Sequence, residues 1–398
     1  MLKIKALFFA TLLLTFAVQA QQSDWPTATP KSVGIDAKAL AAFDAEIAAG
    51  KFGYIDSVTI IRHGKLVFEK RYPHDYEKIY GEDAKKQSPL NPHDPTGPYN
   101  YFNPWWHPWY QRGDLHTLQS VSKTITSIII GVARTKGDFP DIDTPVMKFF
   151  DASKVANVDD RKRRMTIRNL LTMSAGFDWR EDLPYSNPDN TGTQMEASSD
   201  WVEYTINRPM QYQPGKVYHY NSGATQILAH IFRVATGSDI EEYAVRNLFG
   251  PLGIKEFYWK RTPSGLVDAE GGLYMRPRDV AKLWYLFLQN GKWEGKQIVS
   301  PEWVKDSLKP HFDLGAGKPD AAALPKYGLK WWLYPYAKDN SNSMLAWAGS
   351  GFGGQRPIVL PEYDIVAVYT AWNHGTGPTM PVRDAIYRLV EMVKDGPK

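Results

Sequence analysis

Apolar positions recur along this chain with two periods, and the period changes with place. Leu40, Phe43 and Ile47 stand three and four apart in the Ala-rich stretch 38–49 and mark one face of a helix. Ser57-Val58-Thr59-Ile60-Ile61 and Leu66-Val67-Phe68-Glu69 are β-rich runs around Arg62-His63-Gly64-Lys65, which predicts a hairpin. From 118 to 134 the period is helical: Val121, Ile125, Ile128, Ile129 and Val132 line one face. Ile130 and Gly131 leave the far side apolar or small, so this helix is expected to be buried all round. Shorter helices are predicted over 167–173, 199–207, 225–236 (closed by Gly237) and 279–288 (stopped at Asn290-Gly291). β character returns in 357–360 and 365–369, which bracket Pro361-Glu362-Tyr363-Asp364, and 382–393 predicts a closing helix.

Strands therefore sit near both ends of the chain and helices fill the middle. Because consecutive strands tend to pair, the simplest architecture is an α+β fold. Its antiparallel sheet is built from both chain ends and flanked by helices, with a mainly helical region inserted at about 135–260. A functional site is expected where sheet and insertion meet. The segment 72–114 breaks the pattern: it is rich in Pro, Gly, Asn and His, and reads as one long loop. Its core, Tyr99-Asn100-Tyr101-Phe102-Asn103-Pro104-Trp105-Trp106-His107-Pro108-Trp109-Tyr110, has too many aromatics for a disordered tract. These rings either pin the loop to the body or stack on a substrate. His74, His93, His107 and His116 match no metal-binding spacing and read as polar loop groups.

Composition narrows the classes. The chain has 398 residues, 43% hydrophobic and 23% charged, with a formal charge of +4. That balance does not supply the concentrated basic face that nucleic acid requires. Arg161-Lys162-Arg163-Arg164 is the one basic cluster and reads as a solvated loop. There is no cysteine, so disulfides, thiolate metal sites and a lipoprotein anchor are excluded. Lys3 and Lys5, the apolar run 6–18 and the small residues of Val18-Gln19-Ala20 read as a secretory signal peptide over 1–20. The rest, 21–398, is expected to form one domain, periplasmic or secreted and without a stable membrane anchor.

Chemistry concentrates in three segments. Ser120-Val121-Ser122-Lys123 puts a hydroxyl and an amine one helical turn apart. Lysine can activate the serine only if burial or a nearby cation lowers its pKa. The bland alternative is a helix start with Ser120 capping and Lys123 solvated. Tyr218-His219-Tyr220-Asn221-Ser222-Gly223 precedes a helix; Tyr220 could shuttle a proton if an ammonium lowers its pKa, and Ser222 could hydrogen-bond the Lys123 amine. Gly349-Ser350-Gly351-Phe352-Gly353-Gly354-Gln355 feeds the strand at Pro357. Its glycines allow close approach of a substrate, and N–H groups there could join that of Ser120 as an oxyanion hole. The same glycines match a dinucleotide motif, which is rejected because a hairpin follows rather than a helix.

These segments resemble the serine β-lactamase-related family of penicillin-recognising enzymes, which has the β-lactamase/transpeptidase-like fold. The family includes class C β-lactamases, D-alanyl-D-alanine carboxypeptidases, esterases and nylon-oligomer hydrolases. Leu118-Gln119-Ser120-Val121-Ser122-Lys123-Thr124-Ile125-Thr126-Ser127 resembles the family's nucleophile motif. Leu170-Leu171-Thr172-Met173-Ser174-Ala175-Gly176, the run 271–279 and the run 295–304 resemble later family segments in the right order. The resemblance implies Ser120 as the acylated serine, Lys123 as the motif lysine and Tyr220 as the tyrosine of Tyr-x-Asn. Here the third position is Ser222, a form that resembles the nylon-oligomer hydrolase branch. The Lys-Thr-Gly segment corresponds to Phe352-Gly353-Gly354, with Ser350-Gly351 as the other register, and its cation is missing. The oxyanion is then expected on the N–H groups of Ser120 and Gln355. The resemblance thus implies an acyl-enzyme hydrolase of small amides or esters, with no metal or organic cofactor and no nucleic-acid partner. The alternatives are a β-lactamase or D-Ala-D-Ala carboxypeptidase acting on β-lactams or cell-wall peptides, and a non-catalytic cell-wall-binding module. Intact mass of the secreted protein should show an N-terminus at Gln21; a chain starting at Met1 would remove the case for export.

Overall fold

The computed structural model describes residues 25–86, 115–319, 321–339, 341–374 and 377–397. Residues 1–20, read above as a signal peptide, and the aromatic run 99–110 lie outside them, as do His93 and His107.

Asp36 starts the first helix, α1 (Ala37–Ala48), by accepting from the amides of Lys38 and Ala39, and Leu40, Phe43 and Ile47 form its buried face. The hairpin follows as β1 (Ile55–Arg62) and β2 (Lys65–Arg71). The second hairpin is β12 (Arg356–Leu360) and β13 (Ile365–Ala371). β1 pairs with β13 antiparallel, Ile60 opposite Ala367, so both chain ends share one sheet. The sheet is longer than the sequence pattern suggests. It has eight strands in the order β2-β1-β13-β12-β11-β10-β9-β8, adding β8 (Phe312–Asp313), β9 (Lys326–Tyr327), β10 (Trp332–Tyr336) and β11 (Met344–Ala348). Smaller pairings join β3 (His116–Thr117), β4 (Phe257–Trp259) and β5 (Leu273–Met275), and β6 (Lys292–Trp293) with β7 (Lys296–Gln297).

The sheet is covered on both faces, which is why every residue of β1 is buried. Val58, Ile60, Ile358 and Leu360 pack with α1 and the closing helix α7 (Val382–Met392). Ile61, Val359, Val366 and Val368 belong to the larger core on the other face. That core contains α2 (Val121–Lys136) and α5 (Pro277–Leu288). α2 is buried without interruption from Val121 to Ala133. Gly131 lets α6 (Pro301–Ser307) approach it: a Cβ there would sit 2.2 Å from the Trp303 indole nitrogen. The region between β3 and β4 is helical, including α3 (Ile167–Leu171) and α4 (Ser222–Thr236).

Three sequence expectations are corrected. The stretch after Tyr72 is not all loop: Tyr76–Ala84 is a helix capped by Asp75. Tyr76 and Tyr80, four apart, bury against Trp372, a period hidden among polar residues. The basic cluster is a short helix, Asp160–Arg164, and Lys162 is fully buried. Its Nζ donates to the carbonyls of Ala156, Ile206 and Arg208 at 2.8, 2.7 and 2.9 Å, which replace its water. His116 is a buried strand residue with Nε2 2.8 Å from Asp56 Oδ2.

Arg168 ties the helical region to α6, holding Asp143 on one side and Asp306 at 2.9 Å on the other. The hydrogen bond from His311 first, then those from Arg168, outweigh burial and hold the Asp306 carboxyl at about 2. A carboxylate depressed from ~3.9 stabilises the fold fully above that value and loses the contribution as pH falls. Asp306→Asn should therefore cost about 1 kcal/mol at pH 7 after solvent screening. In urea melts the gap to wild type should close between roughly pH 4 and 2; a gap independent of pH would count against this linkage.

Candidate functional site

Ser120 sits at the head of α2, after Gln119, whose φ of 49° is left-handed. Its side chain makes no capping bond. Instead its Oγ lies 3.0 Å from Lys123 Nζ, one turn along the helix. Lys123 is not solvated: it is 2% exposed. The same Nζ lies 2.8 Å from the Glu270 carbonyl and 2.6 Å from Glu270 Oε2. Glu270 is held in turn at its backbone, since Asp268 Oδ1 accepts the amides of Glu270 and Gly271.

The electrostatics correct the sequence expectation for Lys123. Burial pushes the ammonium down, but the carboxylate of Glu270 beside it wins and holds the lysine above its ordinary value. Burial likewise pushes Glu270 up; the charge and hydrogen bond of Lys123, with the hydrogen bonds of Glu196 and Ser222, bring it below the usual range. Tyr220 completes the group, with its ring 5.3 Å from Lys123 Nζ and a hydrogen bond to Ser120. Its phenol is raised rather than lowered, because burial outweighs Lys123.

Ser222 does not reach Lys123. Its N–H and Oγ both donate to Glu181, at 2.7 and 2.5 Å. Glu181 also accepts from Trp179 Nε1 at 2.8 Å and the Tyr185 hydroxyl at 3.2 Å. Four donors around a buried carboxylate make it a structural anchor for the loop carrying Tyr220.

The Gly-rich segment folds back as a tight turn on the opposite side. Gly351 and Gln355 exchange backbone hydrogen bonds, at 2.9 and 3.2 Å. The Gln355 N–H is therefore spent on Gly351 and is not the oxyanion donor expected. The Gln355 side chain is a clip, its Nε2 2.7 Å from the Ala371 carbonyl. A Cβ on Gly351 would lie 2.3 Å from the Leu118 carbonyl, so only glycine brings this turn so close to the strand before Ser120. Phe352, Gly353 and Gly354 border a cavity of about 710 Å³ whose wall also includes Ser120, Tyr220 and Trp332. Arg356 borders it too, with Nη1 on the Gly351 and Gln355 carbonyls at 2.8 and 3.1 Å. A cation thus reaches the cavity from a position outside the expected motif. Among the described residues, no three His, Asp or Glu side chains group as a metal site requires.

Glu270, Glu181 and Arg356 are absent from the residues singled out by sequence. Glu270 directly precedes a run that resembles the family, but it lies 147 positions from Lys123 and no spacing links them.

Comparison with known proteins agrees with this geometry. The family model described as Beta-lactamase matches residues 55–391. A Salmonella typhimurium protein named "Putative D-alanyl-D-alanine carboxypeptidase" is 24% identical over 265 residues, covering 63% of this chain. The chain spans 55% of the length of that relative. Among solved structures, a "Putative 6-aminohexanoate-dimer hydrolase from Bacillus anthracis" superposes with a TM-score of 0.61 at 18% identity, over 92% of this chain and 85% of that one. EstCE1, a hydrolase with promiscuous acyltransferase activity, gives 0.65 at 15% identity, over 90% and 98%. The octameric penicillin-binding protein homologue from Pyrococcus abyssi gives 0.61 at 19%, over 90% and 78%. The chain belongs to the beta-lactamase family.

Ser222→Ala should lower stability by about 1.5–3 kcal/mol, because it strands a buried carboxylate without one of its donors. Chemical denaturation measures this. A variant as stable as wild type would mean that Glu181 does not depend on Ser222.

Proposed function

We propose that this chain is an exported serine hydrolase that works through an acyl-enzyme on Ser120 and acts on small amides or esters. The observation that carries the proposal is the Ser120 hydroxyl held between Lys123 Nζ, at 3.0 Å, and Tyr220 on the wall of the cavity. Serine is a weak nucleophile until a neighbour accepts its proton, and here the hydroxyl has a polar neighbour on each side. Ser120 Oγ attacks the substrate carbonyl, the leaving group departs protonated, and water releases the acid. The head of a buried 16-residue helix favours the negative charge that develops beside Ser120. With the Gln355 N–H occupied, the second oxyanion donor must come from elsewhere in the Gly-rich turn.

Small amides or esters are favoured by the Tyr220-Asn221-Ser222 form and by the aromatic wall of Trp332 and Phe352. Hydrolases named for a 6-aminohexanoate dimer and for acyltransferase activity share the fold, which supports the same class. A second reading, cell-wall peptides or β-lactams, is favoured by Arg356, which offers the cavity a cation for a substrate carboxylate. The named activity of the Salmonella relative points the same way. Export rests on the positive and apolar character of residues 3–18; no described helix is long and apolar enough to cross a membrane.

A fluorophosphonate should add to wild-type protein at Ser120, seen by intact and peptide mass, and Ser120→Ala should abolish both adduct and turnover. Tyr220→Phe should lose roughly 10²–10⁴-fold in kcat. Side-by-side rates on a p-nitrophenyl ester, nitrocefin and a D-Ala-D-Ala peptide rank the substrates. Fast nitrocefin turnover would place β-lactams ahead of small amides and esters. Failure to form any adduct, together with cell-wall pull-down, would favour a non-catalytic binding module.

A further inference from the structure

Lys123 Nζ has three short contacts: Ser120 Oγ, the Glu270 carbonyl and Glu270 Oε2, at 3.0, 2.8 and 2.6 Å. An ammonium has three N–H groups and no lone pair. A carbonyl oxygen and a carboxylate oxygen can only accept, so two of the three contacts already require lysine to donate. We propose that Glu270 is a positioning residue: it fixes Lys123 as a donor-only ammonium, and so makes Tyr220 rather than Lys123 the group that relays the Ser120 proton. The proposal rests on the serine-hydrolase reading above.

The direction of the network follows from the ion pair: a neutral amine could give two N–H groups to Glu270 and still accept from Ser120, whereas the ammonium held 2.6 Å from the Glu270 carboxylate can only donate. Lys123 donates to Ser120 Oγ, so the Ser120 hydroxyl sends its own proton to the Tyr220 oxygen with which it is hydrogen-bonded. Tyr220 is a neutral phenol, held so by burial. As Ser120 Oγ bonds to the carbonyl carbon, its proton passes to the Tyr220 oxygen, and the phenol proton passes to the leaving nitrogen or oxygen. The C–N or C–O bond breaks, and Tyr220 ends the step as it began. No phenolate and no neutral lysine is needed.

The surroundings of Lys123 agree. The charged and titratable groups that face it are Glu270, Tyr220, Glu181 and Lys330. Glu270 is the nearest of these charges, while burial first and then the charge of Lys123 push the Lys330 amine well down. Behind Glu270 lies Glu196, hydrogen-bonded to it and pushed well up by burial, with Asp268 and Lys260 beyond. A protonated Glu196 donating to Glu270 satisfies the carboxylate without removing its charge. The arrangement also accounts for Ser222. Its hydroxyl anchors Glu181, so the contact to lysine that sequence assigns to it falls to an acid from another segment.

The test is the titration of Lys123 followed by NMR in protein labelled with ¹⁵N-lysine, its signal assigned with Lys123→Arg. In wild type the signal should remain that of an ammonium through pH 10. In Glu270→Gln its midpoint should fall by about 1 pH unit or more, and Glu270→Asp should restore most of it. On a p-nitrophenyl ester, Glu270→Gln should lower kcat about tenfold or more, leave KM nearly unchanged and move the basic limb of the pH profile downward. A neutral Lys123 near pH 7 in wild type would overturn the proposal. So would a Glu270→Gln variant whose lysine titration and pH profile are unmoved, even with kcat reduced, since that pattern marks a merely structural residue. If Glu270→Gln does not fold, wild type and Glu270→Asp decide the matter. Absence of a fluorophosphonate adduct in wild type would refute the hydrolase reading instead, and the lysine titration would still decide the role of Glu270.

Discussion

A lysine that is 2% exposed cannot keep its charge without a partner, and the site is arranged around the partner that Lys123 has. Glu270 meets it at 2.6 Å with the carboxylate and at 2.8 Å with the backbone carbonyl. A buried pair of this kind is poor evidence for stability in itself, because desolvation offsets much of the attraction. What it does is fix geometry. The turn at Glu270, gathered by Asp268, must lie against the first turn of α2, and everything that approaches Ser120 is then placed relative to that contact.

The larger frame delivers the two sides to this point. α2 runs through the core with no exposed face from Val121 to Ala133, so Ser120 and Lys123 cannot shift without disturbing Ile125, Ile128 and Ile129 behind them. On the other side the sheet, closed by β1 against β13, carries the Gly351–Gln355 turn at the head of β12. That turn touches the Leu118 carbonyl, two residues before Ser120. The cavity is the space left between the turn and the Tyr220 loop, which Glu181 pins from behind.

The elements that sequence conveys are those whose signal is local. Ser120 and Lys123 share a helix face at a spacing of three, and Leu40, Phe43 and Ile47 mark α1 in the same way. The two terminal hairpins show as β-rich runs around turns, and their pairing follows from proximity rules. β10 and β11 are not legible: Trp332-Leu333-Tyr334-Pro335-Tyr336 contains a proline, and Met344-Leu345-Ala346-Trp347-Ala348 does not alternate. Lys162 reads as solvated because its acceptors are backbone carbonyls, which have no sequence signature. Glu270 and Glu181 escape notice for a related reason. Each meets its partner, Lys123 or Ser222, across 147 and 41 positions, and a lone acid in a polar loop looks the same whether it faces water or a buried ammonium.

The two glutamates divide work that a single side chain after Tyr220 could in principle do. Glu181 holds the Tyr220 loop through the amide and hydroxyl of Ser222 and acts on the lysine only through its charge. Glu270 holds the lysine, and its contact with Ser222 is the smallest of its hydrogen bonds. Separating them matters for the charge in the cavity. An amide side chain at 222 could bridge lysine and substrate but would add no charge, whereas Glu270 neutralises Lys123 where it stands. The wall of the cavity is then left with Arg356 as its one permanent cation among the described lining residues, which also include Glu181 and Asp182. Under the proposed hydrolase reading, selection between a neutral ester and a carboxylate-bearing peptide would fall on Arg356 and the aromatic wall, with the lysine reserved for the serine.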